Sequence, residues 1–151
     1  VSSSAHSKLV LDLVLEVLQL APKLQLKGDR MTKDLGLTSS RWWCLVHVAE
    51  ANGELTVADV ARRMNLQRQT VQRFADALVD SGMIAYSVNP DHKRARLLSI
   101  TEDGEAALTT IEQRELIWAK NVAASLGTHE IESAVKALAA IRGDLTVLSN
   151  Q

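Results

Sequence analysis

The sequence predicts a mainly α-helical chain with one small β-hairpin, and three observations lead there. Hydrophobic residues make up 46% of the chain but aromatics only 3%, so the core must be aliphatic, and a Leu- and Ala-rich composition with few prolines favours helices. Apolar residues recur at helical spacing near both ends of the chain. Between Met83 and Ile100 that rhythm gives way to two short runs separated by Asn89-Pro90-Asp91, which is turn chemistry.

The elements follow in order. Residues 1–7 are Ser-rich and expected to fray. From Lys8 to about Leu26, Asp12, Glu16 and Gln19 form one narrow polar stripe, and Leu, Val and Ala fill most of the remaining circumference. Such a helix must be buried on more than one side, either as a central core helix or shared with a partner subunit; the second is the expectation. Lys27 to Leu37 reads as a polar connection. Thr38 or Ser39 then caps a helix from about Ser40 to Ala51, with Leu45, Val46, Val48 and Ala49 inward and Asn52-Gly53 ending it. Leu55 is expected in a short strand pairing with the hairpin. Thr56 caps a short helix, Val57 to Met64, with Asp59 completing a capping box.

Asn65 supplies a turn residue that tolerates positive φ, and a second helix runs from about Gln67 to Ser81 before Gly82. Met83–Ser87 and Ala95–Ile100 are the hairpin strands. Thr101 opens a long helix to about Leu126, with Ile111, Trp118 and Val122 on one stripe. Gly127-Thr128 breaks it, and a last helix carries a seam of Ala134, Leu138, Ile141, Leu145 and Leu148.

Charge is distributed unevenly. The formal net charge is −1, which taken alone argues against a nucleic-acid partner. From Val60 to Ile100, however, seven Lys/Arg face three Asp/Glu, a local +4, while the remainder carries ten against fifteen, a net −5. Phosphate binding needs such a local basic face. On the helix over 67–81, Val71, Phe74, Leu78 and Val79 define the inner face with Ala75 close behind. The outer face presents Gln67, Arg68, Gln69, Thr70, Gln72 and Arg73 in the first two turns. Arg pairs bidentately with guanine and Gln with adenine, and Thr contacts a thymine methyl or a phosphate. Asp76 and Asp80 are expected to face away from phosphate or cap the far end. Arg62 and Arg63 are weaker candidates for backbone contacts.

At the hairpin tip, Arg94 is the candidate for insertion into a minor groove, with Lys93 and Arg96 on flanking phosphates and Asp91 bridging to Arg94. Edge-strand charges that block aggregation are the competing explanation of these residues.

These residues resemble the multiple-antibiotic-resistance regulator (MarR) family of bacterial winged helix-turn-helix repressors. The resemblance runs through Leu37-Thr38-Ser39-Ser40-Arg41-Trp42, Gly53 to Ala61, Gln69-Thr70-Val71-Gln72-Arg73, Leu78 to Ile84, the tip Asn89 to Ala95, and Thr101-Glu102-Asp103-Gly104. It implies a winged helix-turn-helix lobe over residues 38–100. Residues 8–30 and 101–149 would form a helical dimerisation region. The implied partners are a second copy of the chain and double-stranded DNA, a pseudo-palindromic operator with half-sites roughly 10 bp apart. Two positions depart from the family pattern: Gln67 stands where a capping serine is usual, and Lys93 rather than Arg94 holds the arginine spacing from Asp91.

Many such regulators respond to small aromatic anions, and the candidate effector residues here are Arg41, Trp42, His47 and Trp118; hinge packing is the competing explanation. Trp43 is expected in the core. Cys44, the single cysteine, reads as buried and inert rather than redox-active. The four histidines show no metal spacing, and no nucleotide loop or catalytic constellation is present, so neither cofactor nor metal is expected and the chain does not read as an enzyme. No apolar run is long enough to span a bilayer and no signal peptide is visible, which fits a cytoplasmic protein. The alternative function is a winged-helix interaction module that does not read DNA.

Overall fold

The computed structural model describes residues 2–148, and the side chains of 4–145. The order is α1 (Ser2–Thr32), one 3₁₀ turn (Lys33–Leu35), α2 (Ser39–Glu50), β1 (Leu55–Thr56), α3 (Val57–Met64), α4 (Arg68–Asp80), β2 (Ile84–Ser87), β3 (Leu97–Ile100), α5 (Glu102–Ala123) and α6 (Thr128–Leu148). The three strands form one antiparallel sheet in the order β1-β3-β2. Leu55 pairs with Leu98, and Tyr86 pairs with the same residue from the other side. The chain therefore is mainly α with a small sheet, as its sequence predicts. It divides into two compact units meeting at Ile111 and Glu112.

Within the first unit the core is aliphatic. Leu45 and Val48 of α2, Val60 of α3, Val71 and Leu78 of α4, Leu98 of β3 and Ile111 of α5 are fully buried. Local chemistry sets most element boundaries. The Thr56 hydroxyl accepts from the Asp59 N–H while the Asp59 carboxylate accepts from the Thr56 N–H at 2.9 Å, a reciprocal cap on α3. At the other end Asn65 adopts φ 52°. This lets Leu66 N–H reach the Ala61 carbonyl at 3.0 Å and turns the chain sharply into α4. Gly82 repeats the device after α4: at φ 75°, its N–H bonds Val79 O and that of Met83 bonds Leu78 O, both at 2.9 Å.

Two expectations about α1 are corrected. The helix begins at Ser2 rather than Lys8, and continues to Thr32 rather than stopping near Leu26. Gly28 is not a loop residue. It is the point where α1 approaches α2, and a Cβ there would lie 2.8 Å from Ser39 Cβ. Asp29 Oδ1 then accepts from Ser39 N–H at 2.7 Å. The buried Thr32 hydroxyl sits 2.9 Å from the Gly28 carbonyl oxygen and 3.0 Å from that of Leu37. Tertiary contacts of this kind extend a helix past residues whose own propensity would end it.

The strands are also shorter than expected. Met83 N–H is spent on the cap of α4, and Ala95 N–H bonds the His92 carbonyl at 3.1 Å inside the tip, so neither joins the ladder. Thr101 N-caps α5: its hydroxyl donates to Gly82 O at 2.6 Å and accepts from Gly104 N–H at 3.2 Å.

In the second unit α6 follows a turn in which Glu130 Oε2 accepts from Gly127 N–H at 2.8 Å. Its seam residues Ala134, Leu138 and Leu145 are exposed and Ile141 half-buried. The side chain of Leu148, and residue 149, lie outside the described residues. No helix among the described residues is long and apolar enough to cross a membrane.

Candidate nucleic-acid interface

α4 packs through Val71, Ala75 and Leu78. Phe74 and Val79 lie half-buried against the same core. That inner face leaves the opposite side of its first two turns in solvent. Gln67 occupies the N-cap position without a side-chain capping bond. It is exposed, as are Arg68, Gln69 and Arg73, whereas Thr70 and Gln72 are half-buried. Arg68, Gln69, Gln72 and Arg73 line an open surface hollow of about 450 Å³.

A second cleft, of about 530 Å³, lies between α4 and the hairpin; Arg68, Gln72, Tyr86, His92, Arg94 and Arg96 are among its walls. Three guanidinium groups on two elements thus face one cleft whose described lining contains no carboxylate. Such a concavity concentrates positive potential where a phosphate backbone would pass.

The tip is held by Asn89, whose Oδ1 accepts from Asp91 N–H at 2.9 Å. Lys93 and Arg94 are exposed on it. The bridge expected between Asp91 and Arg94 is not formed among the described residues. The Asn89 turn and the backbone bonds His92 N–H to Asn89 O at 3.4 Å and Ala95 N–H to His92 O at 3.1 Å shape this end of the wing. Arg96, expected on a flanking phosphate, is exposed. Its guanidinium lies 3.7 Å over the ring centre of Tyr86, a cation–π contact. Of the weaker candidates, Arg63 is exposed, while Arg62 forms an ion pair with Asp59. Accordingly Asp59 titrates below the ordinary carboxylate range, chiefly because it accepts from the Thr56 hydroxyl and N–H, with Arg62 adding to the effect.

Two residues of this region have partners that the sequence reading did not assign. Asp76, expected to face away, accepts from Tyr86 Oη–H at 2.8 Å and from Gln72 Nε2–H at 2.9 Å. Gln72 Nε2 also donates to Tyr86 Oη at 2.7 Å. Burial, then the hydrogen bond to Asp76, raises the Tyr86 pKa above its usual value, so the phenol keeps its proton at neutral pH. The signals were present: Gln72 and Asp76 are one helical turn apart, and Tyr86, the only tyrosine, is in phase with buried Ile84 along β2.

Three of the candidate effector residues share one helix. Arg41, Trp42 and His47 all lie on α2 and are half-buried. Trp118 belongs to the second unit, where it is partly exposed. Trp43, expected in the core, is 51% exposed. Cys44, Leu45 and Val48 take the inward positions, leaving Trp43 to stack on Trp42 and His47 at ring separations of 5.7 and 6.1 Å. His47 Nδ1 lies 3.7 Å from Glu50 Oε2 and has no hydrogen-bond partner. Burial pushes the Cys44 thiol up to about 12, so it carries no thiolate at neutral pH. Among the described residues no His, Cys, Asp and Glu cluster could hold a metal ion.

A family model described as MarR family matches residues 35–95. An uncharacterized protein of Mycobacterium bovis is 38% identical over 105 residues, spanning 70% of this chain and 72% of the relative. The chain belongs to the MarR family. Among solved structures, the MarR family transcription regulator SP03579 is similar at TM-score 0.85 and 19% identity, over 100% of this chain and 99% of the other. The Staphylococcus aureus MepR–DNA complex is similar at TM-score 0.77 and 16% identity, over 87% and 96%. At these identities the structural likeness speaks for the fold. MarR proteins are transcription regulators that bind DNA and are not enzymes, so the basic cleft and the exposed face of α4 lie in a DNA-binding family.

Proposed function

We propose that this protein is a homodimeric, sequence-specific repressor of transcription that binds a pseudo-palindromic operator. Gln67, Arg68, Gln69, Thr70, Gln72 and Arg73 are assigned to the major groove, Arg94 to the adjacent minor groove, and Lys93 to flanking phosphate. The observation that carries this reading is the cleft shared by Arg68 of α4 with Arg94 and Arg96 of the hairpin, beside the exposed Gln69 and Arg73. The dimer rests on α1, where Leu9, Leu11, Leu15 and Leu18 stand more than half exposed. Apolar surface of that extent calls for a partner. Release by a small aromatic anion is assigned to Arg41, Trp42 and His47 of α2, and a footprint taken with and without phenolic acids tests it.

DNA reading itself is tested by titrating fragments of the flanking intergenic DNA. Binding should weaken steeply with salt. Arg73→Ala should cost about 1–3 kcal/mol at its cognate base pair while sparing non-specific binding. If Arg73→Ala and Arg94→Ala both bind like the wild type, the assignment is wrong. A shallow salt dependence would leave an interaction module in its place.

A further inference from the structure

The Gln72–Asp76–Tyr86 triangle determines what the middle of α4 can say to a base. A free glutamine amide offers both N–H donors and an acceptor oxygen, and so pairs bidentately with adenine N7 and N6. Gln72 is not free. Its Nε2 group is engaged, donating to Asp76 Oδ1 at 2.9 Å and to Tyr86 Oη at 2.7 Å. The amide cannot turn over, because Oε1 facing the Asp76 carboxylate would set acceptor against acceptor. Tyr86 is held in turn from β2: its hydroxyl donates to Asp76, Arg96 covers its ring, and its backbone pairs with fully buried Leu98. What remains is Oε1, which is neither hydrogen-bonded nor sealed from solvent. Gln72 also lines the hollow beside Arg68, Gln69 and Arg73.

We infer that Gln72 reads DNA only as a hydrogen-bond acceptor, and that Tyr86 of the hairpin imposes this as a specificity-positioning residue. This rests on the DNA-reading function proposed above. In the major groove the bases that offer a donor are adenine, through N6, and cytosine, through N4; guanine and thymine present only acceptors at those edges. One position in each half-site therefore accepts adenine or cytosine on the contacted strand and rejects guanine and thymine. A single hydrogen bond with an unpaired acceptor as its alternative gives discrimination of about tenfold. Releasing the amide should convert this two-base preference into a preference for adenine, because only adenine repays the freed donor.

The test is selection from a random double-stranded DNA library with full-length wild type, Gln72→Leu, and Tyr86→Phe combined with Asp76→Ala. Tyr86→Phe keeps the ring beneath Arg96, and circular dichroism confirms that each variant is folded. Wild type should show one adenine-or-cytosine position per half-site. Gln72→Leu should erase that preference and leave the others. The double variant should favour adenine over cytosine there by about fivefold to tenfold. If wild type enriches an operator but no position responds to Gln72→Leu, or the double variant keeps the wild-type profile, the inference fails and the DNA-reading function stands. If wild type enriches no sequence at all, both fall.

Discussion

Replacing Gly104 by alanine sets two effects of opposite sign against each other, and the structure says which wins. Gly104 is buried in the first turn of α5, where helix propensity alone would reward alanine by up to about 1 kcal/mol. A Cβ built there runs into the carbonyl oxygen of Met83 and lies 2.8 Å from Ile100 Cγ1. That carbonyl cannot simply retreat, because it accepts from Thr101 N–H at 3.1 Å. Overpacking of this kind costs about 1–3 kcal/mol, and loosening the backbone bond adds roughly 0.5–1.5 kcal/mol. The net is a destabilisation centred near 2 kcal/mol. For a chain of this size that corresponds to a Tm lowered by about 4–8 °C. Thermal unfolding followed by far-ultraviolet circular dichroism reads it, with both proteins at one concentration so that association does not shift the comparison. A Tm equal to or above wild type would refute the packing argument and leave propensity in charge.

Three other perturbations have defined outcomes. Asp59 is held below its ordinary pKa by the Thr56 cap, so its contribution is complete above the usual carboxylate range and is lost as pH falls through the lower folded-state value. Asp59→Asn should therefore flatten the acid limb of the stability–pH curve, and an unchanged limb would exclude this cap as its source. Cys44 should resist thiol reagents at pH 7 and react once urea unfolds the chain, and labelling of the native protein at the rate of a free peptide thiol would contradict its burial. Leu18→Glu, at a site 64% exposed, should shift the species seen by light scattering from dimer to monomer while the helical signal persists. A variant that stays dimeric would take α1 out of the proposed interface.

What the sequence made legible was chemistry confined to a few neighbouring residues. The Thr56–Asp59 box, the left-handed Asn65 and the Gly82 cap each need only one short segment, and so the bounds of α3 and α4 were readable to within a residue or two. The exposed face of α4 was likewise readable, since burying Val71 and Leu78 leaves Arg68 and Arg73 no other direction to point. What escaped depends on partners distant in sequence. Gly28 resembles a helix terminator until Ser39 is placed against it. Trp43 resembles core until Cys44, with less volume, takes the inward position. Gln72 resembles a free base reader, and only the hairpin fourteen residues later shows that its amide is spent.

The junction at Thr101 has a mechanical consequence. Through one residue, the carbonyl of Gly82 at the end of α4, the carbonyl of Met83 before β2 and the amide of Gly104 at the start of α5 are tied together, and Gly104 leaves no slack between them. Helix, hairpin and the root of α5 therefore behave as one rigid casting. Residues Glu102–Ile111 of α5 belong to the same compact unit and extend that casting by about 15 Å at 1.5 Å per residue. A tilt applied to this stretch turns α4 and the hairpin by the same angle, and cannot re-aim one without the other. Re-aiming α4 against the hairpin would then require the Thr101 junction itself to come apart.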